Sequence, residues 1–323
     1  MSFEFRRLNQ LGNRLEISLP LDEEGLLGRE CPVKECLGYF KIKLGTGLKG
    51  PNLPCHCPYC GHTDPHDRFY TPEQLEYAES VALRQITQAM VQDLKALEFT
   101  TKPKGAFGIG ISMKVEPGPP IPIRYYREKA LQTNVICDSC TLEYAVYGVF
   151  GFCPDCRQHN SLTILLRNLA LTRKQLDLAG TLTDPAFRAH IVEDALENCV
   201  SAFDAFAREA CRVRAAKSSA PAKAEALSFQ NLPRVSDKLR NLFGVDYAAT
   251  VGPADWGLAH LGFMRRHLVA HRSGVVDQQY LDETHDSQVV LGRRIVIAPS
   301  DVQALAATVE RLAAALLSLL PPA

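Results

Sequence analysis

The sequence predicts an α+β protein with a cysteine-rich N-terminal domain that contains short strands and one long helix, followed by an all-helical C-terminal domain. Eight of the eleven cysteines form four short-spaced pairs, and all four pairs precede residue 157. After residue 161 the pairs stop, and apolar residues recur at helical spacing. A length of 323 residues suits about two domains. We therefore predict domains at 1–160 and 161–323.

The overall charge excludes a general polyanion-binding surface. Lys and Arg number 36, and Asp and Glu also number 36, so the formal net charge is zero. Any contact with nucleic acid must then come from a local basic patch. No apolar run reaches the ~20 residues that a membrane span needs, and the first ten residues lack a signal-peptide layout. The sequence thus indicates a cytoplasmic protein without a membrane partner.

The N-terminal domain is predicted to contain short strands around one long helix. A strand is possible at Leu15–Leu19, and the alternating segments YFKIKLG and LEYAVYGVFG also predict strands. The helix should run from about 71 to 98, with Thr71 as N-cap, Pro72 in the first turn and Gln74 as capping-box partner. Its expected apolar face consists of Leu75, Ala78, Ala82, Ile86, Met90, Leu94 and Leu97.

The two cysteine groups predict two zinc ribbons, which this long helix bridges. The second group reads CDSC, twelve residues, then CPDC, and it contains Cys137, Cys140, Cys153 and Cys156. Two such turns on a hairpin bring four thiolates to one tetrahedral point, which suits Zn²⁺. The first group is wider at its opening pair and contains Cys31, Cys36, Cys57 and Cys60. Cys55 is an alternative to Cys57, although Cys57 has the better spacing to Cys60.

A zinc ion held by four thiolates has no open coordination position, so both ions should be structural. Ribbons of this kind present surfaces to nucleic acid or to protein, and the sequence leaves both roles open. Cys199 and Cys211 fall on apolar helix faces, which predicts that they are core residues.

The C-terminal domain is predicted to contain four helices of clear amphipathic pattern. They lie at about 186–214, at about 232–243, at Pro253–Arg272, and from Ser300 as N-cap to just before Pro321. The segment 215–226 is rich in small and polar residues and predicts a mobile loop. The segment VVLGRRIVI predicts a small hairpin.

The stretch RRHLVAHRSG, which begins at Arg265, concentrates cationic groups at the end of one predicted helix. RNA cleavage without metal requires a proton acceptor, a proton donor and positive charge on the phosphorane. Histidine titrates near neutral pH, and arginine forks onto phosphate oxygens. These residue types therefore favour phosphate chemistry.

Arg266, four residues, then His271 resembles the Arg-x4-His motif of HEPN ribonucleases, a helical family of toxins and abortive-infection effectors. His267 occupies a position that is usually polar in that family. The similarity covers roughly 165–323, including the segments ALENCVSAFDAFAREACR and FQNLPRVSDKLRNLFGVDY.

The resemblance implies a HEPN-like helical bundle and a metal-independent endoribonuclease that works as a homodimer on an RNA substrate, with an antitoxin or trigger protein as a further partner. It implies His271 as general acid or base, Arg266 as phosphate clamp and His267 as polar assistant. Arg265 and Arg272 would widen the RNA-binding patch.

Three other interpretations of the same residues stay open. The helical domain could be a non-catalytic RNA- or protein-binding adaptor, or it could serve only to dimerise a ribbon-based regulator. His267 and His271 also have the i, i+4 spacing of a metal-binding pair.

Residues five apart on a helix project about 140° apart, so one chain should not bring Arg266 and His271 together.

Overall fold

The chain divides into two units in the computed structural model, Met1–Gln158 and His159–Ala323. The structure describes residues 4–50, 52–102, 110–131 and 133–322. The first unit combines strands with helices, and the second consists mainly of helices, so the molecule is of the α+β class.

The first unit is built around a four-stranded antiparallel sheet. Its helices are α1 (Arg6–Gln10) and α2 (Pro72–Lys95). Its strands are β1 (Leu27–Glu30), β2 (Tyr39–Ile42), β3 (Pro54–His56), β4 (Thr63–Pro65), β5 (Phe99–Thr100), β6 (Ser112–Met113), β7 (Thr133–Ile136) and β8 (Glu143–Val146). The order of strands in the sheet is β1-β2-β8-β7, while β3 pairs with β4 and β5 with β6. Residues 15–19 contain no strand, so the first strand prediction was wrong.

The central pairing of β2 with β8 joins the two cysteine-bearing hairpins. Lys41 lies opposite Ala145, and Ile42 lies opposite Tyr144. One buried apolar cluster contains Phe40, Tyr144 and cysteines of both groups. The two groups therefore share one sheet and one core, where the sequence predicted two ribbons connected by a helix. The sequence could not show this because strand pairing across about 100 residues leaves no local pattern.

Helix α2 begins as predicted but buries a different face. Thr71 accepts a hydrogen bond from the Gln74 backbone, and the Gln74 side chain accepts one from the Thr71 backbone, both at 3.2 Å. The predicted apolar residues Leu75 and Met90 are exposed. The helix instead buries polar groups such as Asp93, whose carboxylate accepts backbone N–H groups of α1. These polar contacts, which periodicity does not show, select the buried face.

The second unit packs its helices around α4. The elements are α3 (Ser161–Thr181), α4 (Pro185–Arg212), α5 (Pro221–Glu225), α6 (Leu232–Phe243), α7 (Tyr247–Val251), α8 (Pro253–Arg272), α9 (Gln278–Thr284) and α10 (Pro299–Leu319). Phe203 of α4 is fully buried and makes edge-to-face contacts with Phe229 and Phe263. Cys199 and Cys211 are buried in the same core, as predicted.

Three local predictions for this unit need correction. Segment 215–226 contains a short 3-10 helix at Ala215–Lys217 and helix α5, and Ala224 is buried. Segment 289–297 does not pair with itself; Ile295 donates to the Gly274 carbonyl at 2.8 Å instead. Helix α10 starts at Pro299, and Asp301 accepts from the Ala298 backbone. The predicted Ser300 cap was thus two residues late.

Helix α10 is the one helix in the described part of the chain that is long and apolar enough to cross a membrane. The sequence predicted a helix of nearly this length, but no apolar run of about 20 residues. Its apolar residues Leu305, Val309 and Leu312 are buried in the core of the second unit, which is the arrangement of a core helix.

Candidate metal centres and candidate active site

The second cysteine group forms a compact tetrad of sulfurs. All four Sγ atoms lie within 4.8 Å of one another. The closest pairs are Cys140 with Cys153 at 3.5 Å and Cys137 with Cys156 at 3.6 Å. A tetrahedral ion with metal–sulfur bonds of about 2.3 Å holds its sulfurs about 3.8 Å apart. The arrangement therefore fits one metal ion.

The first group has the same geometry. Cys31 Sγ lies 3.6 Å from Cys60 Sγ, and Cys36 Sγ lies 3.7 Å from Cys57 Sγ. Cys57, not Cys55, belongs to this tetrad, which settles the alternative that the spacing left open. The wider opening pair is accommodated by a turn in which the Cys36 backbone N–H donates to the Val33 carbonyl.

The residue that follows the second cysteine of each pair has left-handed backbone. These residues are Leu37, Gly61, Thr141 and Arg157, with φ between 45° and 72°. The left-handed turn reverses the chain so that both sulfurs of a pair face the same point. Within one of these turns the Tyr59 backbone N–H donates to the Cys57 sulfur at 3.5 Å.

Burial raises the pKa of some of these thiols, whereas hydrogen bonds from the backbone and from neighbouring cysteines lower the pKa of Cys60 and of Cys156 against the cost of burial. Burial raises the pKa of Cys57 and of Cys140 to about 12. Four thiolates at one buried point therefore need a divalent cation to stabilise their charge. The chemistry of the donor set agrees with the geometry, and the described residues contain two candidate four-sulfur metal sites.

The neighbouring histidines have other partners. His56 Nδ1 lies 2.7 Å from the Thr63 hydroxyl, and His62 Nε2 lies 2.7 Å from the Asp64 carboxylate. Neither belongs to the sulfur tetrad.

The motif of the second unit lies in the last two turns of α8. The helix ends at Arg272, and Ser273 and Gly274 both adopt left-handed backbone. The Gly274 N–H donates to the Leu268 carbonyl at 2.9 Å. The left-handed backbone at Gly274 ends the helix.

Arg266 lies against α4 and forms an ion pair there. Its Nε and Nη2 both reach the Glu197 carboxylate, the first at 3.0 Å, and Nη1 lies 3.5 Å from the Gln230 side-chain oxygen. The Arg266 side chain is 12% exposed, and that of Glu197 is 37% exposed. A phosphate that binds the Nε–Nη2 edge of this guanidinium must displace the carboxylate.

His267 and His271 lie on the solvent side of the same helix. Both are exposed, and their ring centroids are 4.9 Å apart. The structure thus brings the two imidazoles together and directs Arg266 elsewhere, as the 140° projection predicts. A cleft that contains all three groups needs a second copy of the chain. Among the described residues, these histidines belong to no group of three or more metal-ligating side chains.

The two outer arginines of the motif differ in environment. Arg265 is 14% exposed and contacts Asp286 at 3.2 Å and Asp301 at 2.8 Å. These ion pairs connect α8 with α10 and with the loop after α9, which gives Arg265 a structural role. Arg265 is therefore not available to widen an RNA-binding patch. Arg272 is 57% exposed, with one long contact to Asp277 at 3.4 Å.

Asp277 also accepts from the Tyr280 backbone at 2.9 Å and caps α9.

Comparison with protein-family models, with curated proteins and with solved structures finds no match to this chain.

Sequence reasoning missed the acidic face of α4. Glu193 and Glu197 are four residues apart, and each binds an arginine, Arg294 and Arg266 respectively. The i, i+4 spacing of two carboxylates on a predicted helix was the available signal. Their partners lie about 70 to 100 residues away, so the pairing itself was not readable.

Proposed function

We propose that the second unit is a metal-independent endoribonuclease of HEPN type that acts as a homodimer. The observation that carries the proposal is the pair of exposed imidazoles, His267 and His271, one turn apart at the end of α8, on the helix that also carries Arg266. These groups supply proton transfer and phosphate binding at neutral pH. The all-helical architecture agrees with the family that the motif resembles.

The reaction would be attack of a ribose 2′-hydroxyl on the adjacent phosphorus. His271 would take the proton of the hydroxyl or give one to the leaving 5′-oxygen, and Arg266 would stabilise the charge on the phosphorane. The products are a 2′,3′-cyclic phosphate and a 5′-hydroxyl. His267 would orient the substrate by a hydrogen bond.

A dimer is part of the proposal because one chain separates its own groups. Arg266 faces α4, whereas the imidazoles face solvent. Two copies that oppose their α8 ends would place the Arg266 of one chain near the His271 of the other. Arg272 of both copies would contact the RNA backbone.

We infer that both sulfur tetrads hold structural Zn²⁺. The sulfur separations and the all-thiolate donor set are those of closed zinc sites. Thiolate sites of this kind persist in a reducing compartment, which agrees with a cytoplasmic protein. The first unit would then recognise the target or a trigger, and a role in phage defence or as a toxin follows from the resemblance.

The test is cleavage of end-labelled RNA by the purified full-length chain in excess EDTA. We expect cleavage to survive brief chelation and to fall by at least about 100-fold in His271→Ala, the size of a lost general acid or base. His260→Ala, on the same helix outside the motif, is the matched control. Metal analysis should find two zinc ions per chain, and a value near zero would refute the zinc assignment.

A non-catalytic adaptor is the second candidate, and one observation favours it. The guanidinium of Arg266 is already paired with the Glu197 carboxylate. If the chain binds RNA and no condition yields cyclic-phosphate products, the helical unit is a binding module.

A further inference from the structure

The segment 289–297 brings a second arginine to the end of α8. Val276 donates to the Arg293 carbonyl at 2.9 Å, and Ile295 donates to the Gly274 carbonyl at 2.8 Å. Ile295 is buried, whereas its neighbour Arg294 is exposed. Buried and exposed side chains alternate along this segment, so the buried isoleucine anchors it and the arginine lies on the surface.

Arg294 packs closely over the residue that ends the motif helix. A Cβ at Gly274 would lie 3.2 Å from Cγ of Arg294 and 3.3 Å from its Nε. The absence of a side chain at Gly274 therefore leaves room for the arginine stem. Arg294 therefore lies against the end of the motif helix and, like Arg266, is paired with a glutamate of α4.

Helix α4 holds both arginines in the same way. Glu193 contacts Arg294 Nη2 through both carboxylate oxygens, at 2.8 and 2.9 Å, and Glu197 contacts Arg266 through two nitrogens. The two glutamates lie on one helix face, one turn apart, which is about 6 Å along the axis. Adjacent phosphates of an extended nucleic-acid strand have a comparable spacing.

We propose that Arg294 and Arg266 bind two adjacent phosphates of one RNA strand, and that Glu193 and Glu197 occupy those two positions when no RNA is bound. The proposal rests on the proposed function for the identity of the polyanion. It adds Arg294 as a binding residue and assigns the α4 carboxylates as internal competitors. Carboxylate and phosphate present similar oxygen pairs to guanidinium, so one can replace the other.

The competition has a definite electrostatic consequence. Each phosphate contact to a single strand releases about 0.7 counterion, so loss of one arginine lowers the slope of log Kd against log salt by about 0.7. At about 0.15 M salt this corresponds to roughly 4-fold weaker binding. Loss of one competing carboxylate should tighten binding by a similar factor and raise the slope.

The experiment measures binding of a fluorescent 2′-O-methyl RNA strand to the full chain by anisotropy, across a salt series. This strand keeps the phosphates and lacks the 2′-nucleophile, so binding is measured apart from cleavage. We expect Arg294→Ala to weaken binding and Glu193→Gln and Glu197→Gln to tighten it. The matched control is Arg311→Ala, because Arg311 is a comparably exposed arginine in a two-bond pair with Asp255. This variant should bind the RNA strand with unchanged affinity.

The outcomes separate this inference from the enzymatic proposal. Unchanged affinity in Arg294→Ala and Glu193→Gln, or no measurable binding by the unaltered chain, overturns the inference. The expected changes without any cleavage of ordinary RNA support the phosphate-binding surface and refute the endoribonuclease. Cleavage that survives with Arg294→Ala binding unchanged supports the enzyme and removes Arg294 from its site.

Discussion

Two glycines of α8 should respond in opposite directions to the same substitution. Gly262 is buried where α8 meets α10, and a Cβ there would lie 2.7 and 2.8 Å from the two δ carbons of Leu305. Gly257 lies five residues earlier on the same helix, and a Cβ there meets nothing within 4 Å. Gly262→Ala should destabilise the second unit, and Gly257→Ala should stabilise it.

The magnitude follows from two terms. Replacing a helical glycine by alanine favours the helix by about 1 kcal/mol at either position. Overpacking against Leu305, which is 1% exposed and cannot move freely, costs about 1–3 kcal/mol at Gly262 alone. Because the helix term is common to both variants, their difference in unfolding free energy isolates the packing cost.

Trp256 provides the assay. It is the single tryptophan of the chain and lies in the second unit, where its ring contacts Tyr247 edge-to-face at 5.7 Å. Tryptophan fluorescence during urea or thermal unfolding therefore reports on this unit alone. With roughly 2–4 °C per kcal/mol for a domain of this size, the two variants should differ in Tm by roughly 2–12 °C.

The reasoning is refuted if both variants shift Tm by the same amount in the same direction. It would then follow that α8 and α10 are not in close contact at Gly262. Such a result would also question the position of the motif helix in the bundle.

Three further predictions concern the metal sites and the buried charges. Cys153→Ser should lower the zinc content from two ions to one per chain, whereas Cys55→Ser should leave it at two, as metal analysis of the purified variants would show. Arg265→Met should lower the unfolding free energy by about 3 kcal/mol or more, because it leaves the Asp286 carboxylate, 5% exposed, without its cation; a loss below about 1 kcal/mol in urea titration would contradict this role. Glu209 has its pKa lowered to about 2, against the cost of burial, by hydrogen bonds from Arg212 and from a histidine. Its folded-state pKa is depressed, so its stabilisation is present above about pH 4.5 and is lost as pH falls toward 2; acid titration followed by tryptophan fluorescence should show a flatter stability profile in Glu209→Gln.

The metal sites were the most predictable part of the molecule. The spacing within each cysteine pair is a local property, since in three of the four pairs two sulfurs three residues apart on a tight turn already face one point. Sequence reasoning therefore identified all eight sulfurs. It could not decide between Cys55 and Cys57 for certain, because that choice depends on which residue ends strand β3.

Helix boundaries in the second unit were also largely predictable. Helices α6 and α8 lie at the predicted residues because proline in the first turn and glycine at the end mark both limits. The hairpin predicted at 289–297 was wrong. Two apolar runs that flank a glycine favour pairing with each other, but in the structure this segment forms its backbone hydrogen bonds with Gly274 and Val276.

The sequence by itself determined the local units of this protein, namely the four cysteine turns, the capped helices and the cluster of cations at the end of α8. Only the tertiary structure decided that the two sulfur sites share one sheet, that Arg265 is a structural residue, and that Arg266 and Arg294 are held by α4. The physical reason is how far apart along the chain the interacting residues lie. Turns and caps are formed by neighbours within a few residues, whereas strand pairing and ion pairing are selected by packing between segments that lie far apart along the chain.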